Sequence, residues 1–429
     1  MGGMKRALAI CAALLASPGV AQDASPARTV EGELPGGARW QAIVPQNFNG
    51  SLLLYSHGYS PRKDAPEPAP KEYRQLLLRK GYALIASDFG AAGWSLEQAV
   101  PAQRAAVEAF AAKEGRPRRV MAWGSSMGGL ISTALAEQDA PVIDGALAMC
   151  PSIGGAVGMM NMGLDGAFAI ATLIAPNSGL SLVNVGDDMT NGRKAMMAVA
   201  AAAQTREGRA RIALAGVLGG IPGWTRADRA QPAAGDFEGQ ASEMAATLVM
   251  GTLMPRNDQE RRAGGAFSWN TGVNYARVLD QTGRRPLVEA MYRKAGLSLS
   301  RDLAALAKAP RIAAKAAAVR YMMENYTPTA KPTVPVVSLQ AVGDGMTSPS
   351  LQRAYTDAAP PAMASGLWYN GAGHCRLPAE QVLAALGHLE ARLDGGAWAP
   401  RPSAFIDHTP PPMVRACIRR TGKTGPACK

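Results

Sequence analysis

Arg119-Val120-Met121-Ala122-Trp123-Gly124-Ser125-Ser126-Met127-Gly128-Gly129 joins a strand pattern to a helix pattern through a glycine-flanked serine. Val120 to Trp123 is a short apolar run suited to a buried strand. A helix is expected from near Leu130, over Leu130 to Glu137. Between them lies Gly-x-Ser-x-Gly, centred on Ser126. Strand and helix approach closely around such a turn, which explains glycines two positions before and after the serine. The strained turn holds the serine oxygen clear of the sheet, where another molecule can reach it. With 47 glycines in the chain, five residues alone say little; the flanking strand and helix give the pattern its weight.

Working outward, Ser51 to Ser56 runs apolar, as a strand buried on both faces does, and His57-Gly58-Tyr59 follows it. Before it, Thr29 to Val44 reads as a strand or hairpin, closed by a turn ending in Asn49-Gly50. Tyr82 to Ser87 and Gly145 to Cys150 are further strands, with helices over Glu72 to Lys80 and Glu97 to Glu114. Strands alternating with helices at this spacing predict an α/β fold: a mostly parallel sheet with helices on both faces. The alternation stops at Pro151. From there to Lys331 the chain is rich in Ala, Met and Arg, with helix candidates at Lys194 to Gln204, Ala241 to Met254, Asn274 to Leu279 and Ser300 to Tyr326. The sheet pattern returns at Pro335 to Val342. It continues through a helix at Ser350 to Ala358, a strand at Leu367 to Asn370 and a helix at Ala379 to Leu393. The expected organisation is a core over 22–150, an inserted helical cap over 151–331, the rest of the core over 332–398, and a basic, proline-rich tail over 399–429 without core-forming residues.

Residues 1–21 have the marks of a secretory signal: Lys5 and Arg6, then the short apolar run Ala7 to Ala16, then small residues ending at Ala21. No later stretch reads as long and apolar enough to span a bilayer, so stable membrane insertion is not expected. The mature chain is expected to be secreted or periplasmic. Besides Cys11 in the leader there are Cys150, Cys375, Cys417 and Cys428, which allow three pairings. Cys417 with Cys428 leaves Cys150 with Cys375, either bridged or as two buried thiols, and the sequence leaves both open. There is no Cys-x-x-Cys and no Cys/His cluster, so neither a metal nor a cofactor is expected. The formal charge of +12 is read as a solubility feature. Nucleic acid is not an expected partner, because the basic residues are not interleaved with aromatics.

A serine hydroxyl is a weak nucleophile that needs a neighbouring base, itself oriented by an acid. Four histidines are present. His57 precedes the serine, His388 lies inside the last helix and His408 in the tail, whereas His374 sits on a glycine loop just past the last strand. His374 is the expected base. Asp344, leaving the preceding strand, is the expected acid, ahead of Asp357 at a helix end; Asp88 is expected only to hold its own loop together. Two backbone N–H groups must meet the developing charge, and Met127 and Tyr59 are the candidates, with Gly58 letting the chain approach. His57, Gly58 and Trp94 are the expected substrate contacts. Met159, Met160, Met162 and Phe168 are core filler or the wall of an acyl pocket. Arg301, Lys308 and Lys315, seven apart, are expected on one helix face, either solvated or holding an acidic substrate group.

On His57-Gly58-Tyr59, Gly124-Ser125-Ser126-Met127-Gly128, Gly343-Asp344 and Gly373-His374-Cys375, the chain resembles secreted bacterial α/β-hydrolases with a large cap, in the esterase and prolyl-oligopeptidase-like group. The resemblance covers about Trp40 to Cys150 and Pro335 to Leu393. It implies the α/β-hydrolase fold and a serine hydrolase with Ser126, Asp344 and His374 as triad and Tyr59 and Met127 as oxyanion donors. Small or polymeric carboxylic esters are the expected substrates, since no propeller-type gating domain is present. A peptidase, and a non-catalytic binding protein on a hydrolase scaffold, are the alternatives. Tannase and feruloyl-esterase relatives bridge cysteines beside both serine and histidine; here Ser125 stands where the first would be. If Cys375 is bridged, Cys150, at a strand end, is its natural partner. The oligomeric state is not legible.

Overall fold

The computed structural model describes residues 27–420 and 423–424. The signal segment 1–21 and Cys428 lie outside them. Thr29 to Val44 forms a hairpin, β1 (Ala27–Glu33) and β2 (Arg39–Pro45), joined by a tight turn with glycines at 36 and 37 in positive φ. β3 (Ser51–Ser56), β4 (Ala83–Ser87), β5 (Arg119–Ser125), β6 (Gly145–Met149), β7 (Val336–Gly343) and β8 (Ala364–Ala372) complete the sheet. Its order is β1-β2-β4-β3-β5-β6-β7-β8. β2 runs antiparallel to both neighbours, and every pairing from β4 to β8 is parallel. The C-terminal ends of β3, β5, β7 and β8 therefore open on one edge, and all the expected site loops leave from it.

Burial on both faces follows from the alternation of side chains along a strand. Leu52 and Leu54 enter one apolar cluster, with α2 (Leu96–Glu114) and α3 (Met127–Ala136). Leu53 and Tyr55 enter the cluster opposite, with α1 (Lys71–Arg79) and, late in the chain, α14 (Ala379–Gly395). α3 begins at Met127, not near Leu130, so the helix starts directly after the serine.

Between β6 and β7 the described chain is helical: α4 (Ala156–Ala169), α5 (Asp188–Ala202), α6 (Arg206–Leu218), α7 (Phe237–Thr252) and α8 (Asn257–Ala263). α9 (Tyr275–Gln281), α10 (Arg285–Lys294), α11 (Leu299–Lys308) and α12 (Ala316–Tyr326) follow. α13 (Pro349–Ala358) then lies between β7 and β8. The region has an apolar cluster of its own around Ile212, Leu214, Met244, Leu279 and Met291, while Met159 and Met160 of α4 pack into the sheet cluster.

Three expectations are corrected. Ser300 to Tyr326 is not one helix: Pro310 forces Ala309 into extended backbone (ψ 148°), so α11 stops and Lys315 leaves the face carrying Arg301 and Lys308. Ala156–Ile174 is long and apolar enough to span a membrane by composition, but most of it is buried in the protein as a core helix. The tail does contain core-forming residues. Phe405 and Met413 are buried, and the Ile406 N–H donates to the Trp368 carbonyl, so the chain after α14 straps back across β8.

Candidate active site

Ser126 sits at φ 58°, ψ −117°, a conformation strained for any residue with a side chain. Its N–H donates to the Met149 carbonyl at 2.9 Å, and its own carbonyl accepts from Ser152 N–H at 3.2 Å, so β6 holds the turn in place. The glycines are sterically required. A Cβ on Gly128 would lie 1.9 Å from the Ser56 carbonyl oxygen, and one on Gly124 would lie 2.4 Å from the Gly128 carbonyl oxygen. Met127, buried, is the first residue of α3, so its N–H emerges at a helix N-terminus without an intrahelical acceptor.

Asp344 leaves β7 fully buried. It accepts from the Met346 and Thr347 N–H groups at 2.9 and 3.0 Å, and from His374 Nδ1 at 2.8 Å on Oδ2. His374 stands two residues beyond β8, after Gly373 at φ 93°. Burial lowers the imidazole pKa, but the charge of Asp344 and its hydrogen bond outweigh this, and the pKa is raised above 6.5. Thr347 Oγ1 lies 3.0 Å from Asp344 Oδ2 and 2.9 Å from the Cys150 carbonyl oxygen, with one proton to serve both.

Cys150 and Cys375 are joined as a disulfide, Cα atoms 5.2 Å apart. The pairing left open by the sequence is thus settled. The bridge fixes the residue after His374 to the end of β6, one position past the carbonyl that holds the Ser126 amide. The bridge also disposes of a metal reading for Cys150, His374 and Cys375, whose donor atoms lie within 4.8 Å of one another: a disulfide offers no thiolate.

Gly58 passes directly beside the turn, where a Cβ would lie 3.5 Å from that of Ser126. Tyr59 follows it, its ring 5.7 Å from that of Trp94. Trp94 is buried, its N–H on Asp258 Oδ2 at 2.8 Å and its indole N–H on the Pro255 carbonyl at 3.3 Å, so it ties the loop after β4 to α8 and the turn before it. His57 stacks on Phe89 at 4.2 Å, with Nδ1 2.7 Å from the Gly58 carbonyl and Nε2 buried without a partner among the described residues. Asp88 holds its loop, accepting from the Arg39 and Gly90 N–H groups and the Arg39 side chain, each at 3.0 Å. The remaining histidines are elsewhere: His388 is buried between Ser365 and Trp398, and His408 lies edge-on to Trp368.

Sequence reasoning missed two supports. Thr347 was signalled only by its place three residues after an aspartate, a local spacing that favours side-chain to backbone bonds. Gln103, fully buried in α2, donates to the Tyr55 carbonyl at 2.6 Å and to Ser56 Oγ at 2.8 Å while accepting from Ser87. It locks the ends of β3 and β4 under the site, and nothing in its neighbourhood of sequence marks it.

An eight-stranded sheet of this order, with antiparallel β2 and a strained Gly-x-Ser-x-Gly turn between β5 and α3, is the α/β-hydrolase fold. In sequence the chain is similar to the o-phthalyl amidase of Xanthobacter agilis, 27% identical over 402 residues, spanning 86% of this chain and 87% of that one. No family model matches. Among solved structures, an esterase of Pyrococcus furiosus aligns with a TM-score of 0.40 and 12% identity, over 86% of this chain and 91% of that one. An acylaminoacyl peptidase of Pyrococcus horikoshii aligns with a TM-score of 0.37 and 10% identity, over 87% of this chain and 42% of that one.

Proposed function

We propose that the protein cleaves carboxylic esters through an acyl-enzyme on Ser126. The supporting observation is that His374, 2.8 Å from Asp344, is bridged through its neighbour Cys375 to the strand end that holds Ser126. In this reading His374 Nε2 takes the proton of Ser126 Oγ as that oxygen bonds to the substrate carbonyl carbon. The carbonyl electron pair moves onto oxygen, where the Met127 and Tyr59 N–H groups receive the charge. Collapse of the adduct breaks the bond to the leaving alcohol, which takes the proton from His374. Water, deprotonated by His374, then attacks the acyl-enzyme, and the acid departs as Ser126 regains its proton. Asp344 holds the imidazole with Nδ1 protonated throughout. Gly58 lets the chain approach, and His57 and Trp94 wall the site.

A second reading, cleavage of a small amide, is favoured by the likeness to o-phthalyl amidase along most of both chains. The same groups serve it, with the proton from His374 now required by a departing amine. We also place the mature protein outside the cytoplasm, with residues 1–21 removed; the Cys150–Cys375 bridge supports an oxidising compartment.

Matched p-nitrophenyl esters and p-nitroanilides of rising acyl length, with Ser126→Ala alongside, test the reading. Turnover of the ester series should exceed that of the anilides and fall by up to about a millionfold in the variant. Preference for the anilides would replace the ester reading by the amide one. Equal background rates in both proteins, with no fluorophosphonate label on Ser126, would leave a binding protein instead.

A further inference from the structure

A cavity of about 290 Å³ lies away from the serine turn, between α6, α7, the segment after α6, and the C-terminal strap. Neither Ser126, His374 nor Tyr59 lines it. Its walls are mostly apolar, with Val217, Leu218, Val278 and Val414 among them, and its volume is at the low end of ligand-holding pockets, about 300 Å³.

Its charges do not balance. Asp165 and Arg415 both line it but are spent on each other: Arg415 Nη1 donates to both Asp165 oxygens at 2.7 and 2.9 Å, and the Tyr275 hydroxyl adds a third bond at 3.1 Å. His408, another wall residue, is held neutral at pH 7, its pKa lowered by burial. That leaves Arg284, at the start of α10. One of its nitrogens donates to the Ile221 carbonyl at 2.5 Å, and among the described residues no carboxylate pairs with it. Burial lowers its pKa to about 10, so the guanidinium keeps its proton at neutral pH. A partly enclosed cation without a counter-ion is costly, and its planar fork matches a carboxylate.

We propose that this cavity is a second ligand site, for a small monocarboxylate with an apolar body, whose carboxylate pairs with Arg284. The site adjoins the acid loop. Ser348, a wall residue, follows Thr347, which bonds Asp344, and Ser348 Oγ donates to the Gly220 carbonyl, another part of the wall, at 2.7 Å. The assignment does not depend on the role given to Ser126.

Benzoate is the probe, titrated into the mature protein by calorimetry, with benzamide as the uncharged match. Saturable benzoate binding is expected, weakened about tenfold or more in Arg284→Met, with benzamide failing to bind. Ala234→Trp, on the exposed rim of the cavity, should block benzoate while leaving the fold intact, and it decides the matter if Arg284→Met does not fold. No saturable binding to the wild type, equal binding of benzamide, or binding unchanged in either folded variant would overturn the site.

Discussion

The sheet edge and the helical insertion position their polar groups by different means. At the edge, backbone does most of it: glycines at 124 and 128 that tolerate no Cβ, the Met149 carbonyl on Ser126, and two amides on Asp344. In and around the insertion, long side chains from separate segments meet one another, as Arg415 of the strap does Asp165 and Arg226 does Glu243, with Nη2 to Oε1 at 2.6 Å. Backbone placement gives little freedom and suits chemistry that must be repeated with the same geometry. Side-chain placement fixes a fold by pairs whose loss leaves a buried charge behind.

The comparison breaks most visibly at Asp344. Asp344→Asn keeps the shape but cannot enforce Nδ1–H or balance an imidazolium, so turnover should fall by about 10⁴ while the melting temperature changes little. The pH profile sharpens the test. His374 must be neutral to act as a base, and its pKa is raised by Asp344 against burial, so wild-type kcat/KM should rise with pH through an inflection above 6.5. Residual activity of the variant should inflect lower, since burial alone then acts on the imidazole. An unmoved inflection would mean that another group is titrating.

This division also explains what was legible. The turn at Ser126 and the meeting of Asp344 with His374 were readable because strand ends and glycine loops advertise themselves in a local stretch of chain. Alternation of strand and helix patterns made the mostly parallel sheet legible, but not the order of its strands. The insertion resisted for the opposite reason. α6, hydrophobic nearly all round through Ala213, Leu214, Ala215 and Val217, gives no amphipathic period to find. Pro310 was visible yet under-read, and the strap was taken for a tail because Phe405 and Met413 are spaced without period. Nothing in the sequence around Arg284 marks it as enclosed. Its burial depends on the strap and on α6, neither of which lies near it in sequence.

In the insertion the largest expected effect is on stability. Arg415→Met leaves Asp165, whose pKa burial already raises to about 6, enclosed without its cation, and should destabilise the fold by about 3–5 kcal/mol. Adding Asp165→Leu should recover most of that loss in denaturant melts. If the double variant is no better than the single, Arg415 acts through its bond to the Trp269 carbonyl and not as a counter-charge.

The Cys150–Cys375 bridge lies between these extremes, because it spans 225 residues and encloses the whole insertion. Replacing both cysteines by serine should cost about 2–4 kcal/mol, through the loop closure returned to the unfolded chain. Activity should fall further than stability, since the bridge also restrains the loop of His374. If activity is retained in full at temperatures well below melting, the Asp344 contact alone positions the imidazole.

The smallest effect is expected on the exposed face of α11. Arg301 and Lys308 are solvent-exposed there, and Lys315, beyond Pro310, does not extend their row. A cluster that gripped an acidic substrate would need at least partial enclosure to escape screening by salt, and these side chains have none. Arg301→Gln with Lys308→Gln should therefore shift stability by less than about 0.5 kcal/mol and leave KM for neutral and anionic esters unchanged. A rise in KM confined to anionic esters would show that charge is read on this exposed face as well as inside the insertion, and the contrast between enclosed and exposed cations would fail at that point.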